Sequence, residues 1–286
     1  MAKNLIIGGF SNYDYNQLKP WVESICEVSP ENTHKVVVVG DNVSQETIGK
    51  LINKNFEIVK SETKQVIPIH VMRFLYIYEY LKDKWKDYNY IVTTDMKDVY
   101  FQSDPFVWLK DNLGDYHLVA GSEGMLYKDE PWGNENLMQA YGPYVHNLFK
   151  NNEIYNVGTI AGESEYVKDL MFNIFTNAIN RPIPICDQAV YNVLLQTQPY
   201  KDVTLFLKQN SGWAMQAGTT VDPSKIEKFR PFLTEKEPLF EDGIVKTCDG
   251  KPFVIVHQYD RVPLWKKHIQ EKYKQESAQG YFVYRS

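Results

Sequence analysis

The chain has 286 residues, 43% of them hydrophobic and 23% charged, with a net charge of -5. That size buries a large core without staples, and the acidic balance argues against a nucleic-acid surface as the main function. Cys26, Cys186 and Cys248 lie far apart with no Cys-x-x-Cys spacing, which speaks against a zinc site or disulfide framework and for a reducing compartment.

The first elements alternate. Leu5–Ile7 reads as a strand ending in Gly8-Gly9, and 15–24 as a helix with Leu18, Trp21 and Ile25 at helical spacing. Lys35–Val39 is a β-branched run suited to a strand covered on both faces. A helix over 44–54 and a strand over 56–59 follow, so the pattern predicts a parallel α/β sheet. Next come a helix over 69–82 that carries Arg73 and a strand, Tyr90–Thr94, running into Asp95 and Asp98.

Beyond it, His117–Ala120 reads as a strand, and 126–142 as loop or short helices near an acceptor cleft. Glu153–Gly162 reads as a strand interrupted by glycine, 166–177 as an amphipathic helix, and Asp187-Gln188 as the start of another. Val203–Leu207 and Phe253–Val256 are late strands, and 264–276 is a lysine-rich helix expected to be a solvated face. Without repeats or Gly/Ser linkers, a single domain over 1–286 is expected, with a first half over 1–106 and a second over 107–286.

The chemistry starts at Asp95 and Asp98. Ligands of open α/β sheets sit beyond the carboxyl ends of strands. Two carboxylates there can hold a hard divalent cation, which in turn can clamp a diphosphate. The ordinary alternative is turn chemistry. His257, directly after a late apolar strand, can complete a metal site or be a satisfied strand-end histidine. Arg73 can pair with a phosphate, lock a catalytic carboxylate, or form a surface salt bridge. Gly8 and Gly9 allow a ligand close to the backbone, or simply make a tight turn. Asp187 can be a helix cap.

The string from Tyr90 through Asp95, Asp98 and Asp104-Pro105-Phe106 resembles the metal motif of GT-A glycosyltransferases. The resemblance extends over about 4–265 through Gly8-Gly9-Phe10, Arg73, Asn156-Val-Gly158, Asp187-Gln188 and His257. It implies a GT-A, Rossmann-like α/β fold with a central, mostly parallel sheet flanked by helices. It implies a nucleotide-binding half followed by an acceptor-binding half. Gly8, Gly9 and Phe10 would cup base and ribose, and Arg73, Asp95 and Gln188 would also face the donor. Mn2+ or Mg2+ would be bound by Asp95, Asp98 and His257. Asn156, Asp187 and Glu163 would serve the sugar and the catalytic step, with Glu123 or Glu163 meeting acceptor hydroxyls or acting as base. Trp132, Trp213 and Met215 are further candidates to line the acceptor pocket.

The resemblance thus implies transfer from a nucleotide-sugar, UDP-linked by preference, to a glycan or glycoprotein, with a lean toward retention. The relatives suggested are small anchorless viral or microbial enzymes. A noncatalytic carbohydrate-binding or degenerate transferase and a glycoside hydrolase are the alternatives. No apolar run reaches the roughly 18 residues of a membrane span, and the N-terminal run is too short for a signal peptide. The expected location is therefore cytoplasmic (host-cell cytoplasm if viral), unless an anchor has been removed.

Overall fold

The computed structural model describes residues 3–274. Side-chain alternation along the strands gives the sheet its two buried faces. β1 (Lys3–Phe10) sends Leu5 and Ile7 to one face and Ile6 and Phe10 to the other. β2 (Thr33–Val39) divides Val36 and Val38 from Val37 and Val39 in the same way. The valine run is thus continuous because both faces are covered.

The central sheet has seven strands in the order β3-β2-β1-β4-β7-β6-β8. The remaining strands are β3 (Glu57–Lys60), β4 (Tyr88–Thr94), β6 (Leu118–Leu126), β7 (Glu153–Glu163) and β8 (Thr204–Leu207). Neighbours are parallel except that β7 runs against both β4 and β6. On one face pack α3 (Ile69–Lys84), α5 (Pro131–Phe149), α6 (Ser164–Ala178) and α7 (Asp187–Leu195). The other face is covered by α1 (Tyr15–Val28), α2 (Gln45–Asn53) and α4 (Pro105–Asn112). Asp104 caps α4 by accepting from the Phe106 N–H at 2.8 Å, the role expected of an Asp-Pro turn.

A smaller sheet, β5 (Val99–Phe101), β12 (Ile255–His257) and β9 (Ala214–Gln216), closes the carboxyl end of β4. A hairpin of β10 (Leu239–Glu241) and β11 (Ile244–Lys246) and the C-terminal helix Pro263–Lys272 pack beside it. All three cysteines are free.

Two expectations change and one is narrowed. Of the two readings of 126–142, loop or short helices, the second holds: after a short turn the stretch forms the first helical segment of α5, burying Leu137 and Ala140. Gly142, at φ 75°, and Pro143 break the helical phase there, so the sequence hides the period. Trp213 and Met215 are fully buried, Trp213 against Trp108, and belong to the core and not to a pocket wall. The lysine-rich helix is only half solvated, since Trp265 and Ile269 anchor it; positions 275 and 276 of that expectation lie outside the described residues.

Candidate functional site

Strand register builds the site. β4 ends at Thr94, and the Asp95 N–H donates to the Gly158 carbonyl on β7 at 2.9 Å. After the Met96-Lys97 turn the chain re-enters as β5, where Val99 pairs with His257. That pairing sets the last residue of a late strand beside Asp98. Ligand atoms of Asp95, Asp98 and His257 lie within 4.8 Å of one another. His257 Nε2 is 3.3 Å from Asp95 Oδ2 and 3.7 Å from Asp98 Oδ1.

His257 Nδ1 bonds Gln216 Oε1 at 2.7 Å, while Nε2 is buried without a hydrogen-bond partner. Burial also lowers the imidazole pKa, which favours the neutral ring. An orphaned buried nitrogen facing two carboxylates is a set of donors that could hold a divalent cation. One imidazole with two carboxylates fits Mn2+, and Mg2+ is compatible.

Glycine makes room for this arrangement. A Cβ at Gly158 would lie 2.4 Å from His257 Cε1 and 2.9 Å from Asn156 Oδ1. Gly158→Ala is therefore expected to displace the imidazole and weaken Mn2+ binding by at least about tenfold, the lower end of losses seen when ligand orientation is disturbed. Mn2+ titration by EPR checks this.

Arg73, 9% exposed, joins the Asp95, Asp98 and His257 group to α7. Its guanidinium pairs with Asp95 Oδ1 and donates to Asp187 Oδ2 at 3.2 Å. Asp187 is the first residue of α7, after the N-cap position held by Cys186, and its carboxylate is turned to Arg73. Beside it, two amides are locked by backbone donors. Gly158 N–H donates to Asn156 Oδ1 at 2.7 Å, and Val157 N–H to Gln188 Oε1 at 2.8 Å. Both NH2 groups therefore converge on Glu123 Oε1, at 2.7 and 2.6 Å.

Burial, reinforced by Glu130, raises the Glu123 carboxyl from 4.5 to about 7. The folded protein thus holds this proton more tightly than the unfolded chain. Its contribution to stability is full below about pH 4.5 and is lost as pH rises through about 7. Glu123→Gln keeps the accepting oxygen and has no proton to lose. In chelator-treated protein its melting temperature should match wild type near pH 4 and exceed it increasingly up to pH 8; parallel curves would overturn this.

A cleft of about 230 Å³ opens over the cluster, lined by Gly9, Tyr13, Arg73, Lys97, Asp98 and Arg261 among others. Of the expected base-binding residues only Gly9 faces it. Gly8 is pressed against Met96, and a Cβ there would come within 2.5 Å of Sδ. The Phe10 ring is 1% exposed and belongs to the core, stacked on Tyr13.

Glu163 is a correction. It pairs with Tyr90, near the start of β4, and bonds His117 Nδ1 at 2.8 Å. At about 3.3 Å per residue it lies roughly 16 Å from Asp95, at the opposite end of the sheet, because β7 is antiparallel. Trp132 is exposed at the start of α5. Sequence reasoning missed Gln216 and Tyr13, whose relation to the site is made only by strand pairing and chain reversal.

No protein-family model matches the sequence, and no curated protein matches it. Solved structures do. The galactosyltransferase LgtC, in complex with donor and acceptor sugar analogs, superposes with a TM-score of 0.51 at 12% identity, over 89% of this chain and 86% of that chain. An active-site mutant of LgtC gives the same values. The glycosyltransferase GlyE of Streptococcus pneumoniae TIGR4 gives a TM-score of 0.54 at 12% identity, over 96% of this chain and 62% of that chain. At this identity the likeness speaks to the fold, which is of the GT-A type implied by the sequence.

Proposed function

We propose that the chain is a metal-dependent glycosyltransferase. It moves a sugar from a nucleoside-diphosphate donor, UDP-linked, to a glycan or glycoprotein acceptor with retention at the anomeric carbon. The observation that carries this reading is the convergence of Asp95, Asp98 and the unpaired Nε2 of His257 at the carboxyl end of β4, inside a fold of GT-A type.

Asp95, Asp98 and His257 would hold Mn2+ or Mg2+, and such a cation neutralises charge on the departing diphosphate as a Lewis acid. The chain's own groups supply the rest. Gly9 gives the donor close access to the backbone, and the Tyr13 ring offers a stacking face to the base. Lys97 and Arg261 line the cleft and add positive charge for the diphosphate. Arg73 holds Asp95 and Asp187 in place. Asp187, Asn156 and Gln188 border the sugar, and Glu123 stands on the acceptor side. Among the described residues no helix is long and apolar enough to cross a membrane, and we read the enzyme as cytoplasmic.

A melting-temperature screen of UDP, GDP and CMP with and without Mn2+ tests this. A ligand at a hundred times its Kd stabilises by about 2.7 kcal/mol, or roughly 5–10 °C for a chain of this size. UDP is expected to give that shift only with Mn2+. A Mn2+-dependent shift with GDP alone would change the donor, and no shift with any nucleotide would point to a binding protein or a hydrolase.

A further inference from the structure

We infer that Gln216 is a positioning residue that sets the cation affinity of the site by choosing the tautomer of His257. The inference rests on the metal reading above. β9 and β12 pair in parallel with Gln216 directly opposite His257, and the two residues are 1% and 2% exposed. The Gln216 amide is held at both ends. Its Nε2 donates to Thr159 Oγ1 at 2.8 Å, and its Oε1 meets His257 Nδ1 at 2.7 Å.

With Gln216 in this orientation its amide oxygen accepts, so Nδ1 carries the ring proton and Nε2 keeps its lone pair. That lone pair faces Asp95 and Asp98. The other tautomer would place an N–H on Nε2, within reach of Asp95 Oδ2 at 3.3 Å. The site would then be closed by an internal hydrogen bond that a cation must first break. In this orientation Gln216 thus selects between an open and a closed histidine. The Thr159 hydroxyl is supplied by the residue after Gly158, whose missing Cβ admits the same ring. One short stretch of β7 therefore touches both the imidazole and the amide that meets it.

Two readouts test this without any measurement of transfer. In metal-free protein, long-range 1H–15N NMR should show His257 with a protonated Nδ1 and a pyridine-like Nε2. In Gln216→Met the Nε2-protonated form should appear, and the Mn2+ Kd by EPR should rise by about tenfold or more, as for other lost outer partners of ligating histidines. Gln216→Glu, which keeps an accepting oxygen, should retain the wild-type tautomer and bind Mn2+ close to wild type.

A proton on Nε2 in the wild type would overturn the inference, and this arm needs no variant to fold. Equal Mn2+ affinity in the wild type and a folded Gln216→Met would overturn the inference alone. Absence of Mn2+ binding by the wild type would overturn the metal reading and the inference together.

Discussion

Asp98→Ala is expected to lose sugar transfer by on the order of 10³-fold in kcat, since Lewis-acid stabilisation is worth several kcal/mol and each ~1.4 kcal/mol is tenfold. The variant should nonetheless fold. The structural link at this position is the backbone carbonyl, which accepts from Gln258 N–H at 2.7 Å and survives the substitution. Removing the side chain takes one negative charge from a site that already holds Asp95 and Asp187 around a single guanidinium. In metal-free protein that relieves repulsion and leaves the melting temperature unchanged or slightly raised. The Mn2+-dependent part of the UDP shift should vanish, because two of the three ligands remain without the charge to hold the ion. Steady-state kinetics with a UDP-sugar and Mn2+ titration of the same protein check both halves. Retained transfer would sink the metal assignment, whereas a collapsed fold would show that Asp98 is structural.

What the sequence shows of this site is what lies within one strand and its exit. Asp95 and Asp98 follow an apolar run whose carboxyl end can be read locally. His257 follows another. Pairings across the chain cannot be read in this way. Arg73 and Asp187 are 114 residues apart in sequence, and nothing near either announces the other. Strand direction is equally silent. Ala161-Gly162-Glu163 looks like a ligand-bearing strand end, yet β7 runs antiparallel to β4, so its carboxyl end points away from the cleft. Phe10 follows two glycines that suggest a turn, but the strand continues through it and alternation turns its ring into the core. Gln216 had no local signal, since its meaning comes from register with His257.

Arg73→Met tests the bridge that joins these distant pieces. The guanidinium is buried beneath the cleft, with its Cζ 4.7 Å from the Phe74 ring centroid. Burial pulls its pKa down, against the opposing pull of Asp187 and other negative groups, but an arginine stays charged in a protein. Methionine fills much of the stem volume, so the packing loss is small. The charge loss is not small, because Asp187 is 8% exposed and would be left without its partner. Breaking a buried pair by removing one member costs about 3–5 kcal/mol. In chelator, denaturant unfolding should show that loss, with the melting temperature down by on the order of 10 °C. Mn2+ should return part of it, since a cation at Asp95 replaces some of the missing positive charge and stabilises by mass action. Arg73→Lys keeps one charge but not the two-pronged fork, so it should fall between Arg73→Met and wild type. A loss under about 1 kcal/mol in Arg73→Met, the size of an ordinary surface pair, would mean that Asp95 and Asp187 are held by other groups. Arg73 would then be free to serve the donor alone.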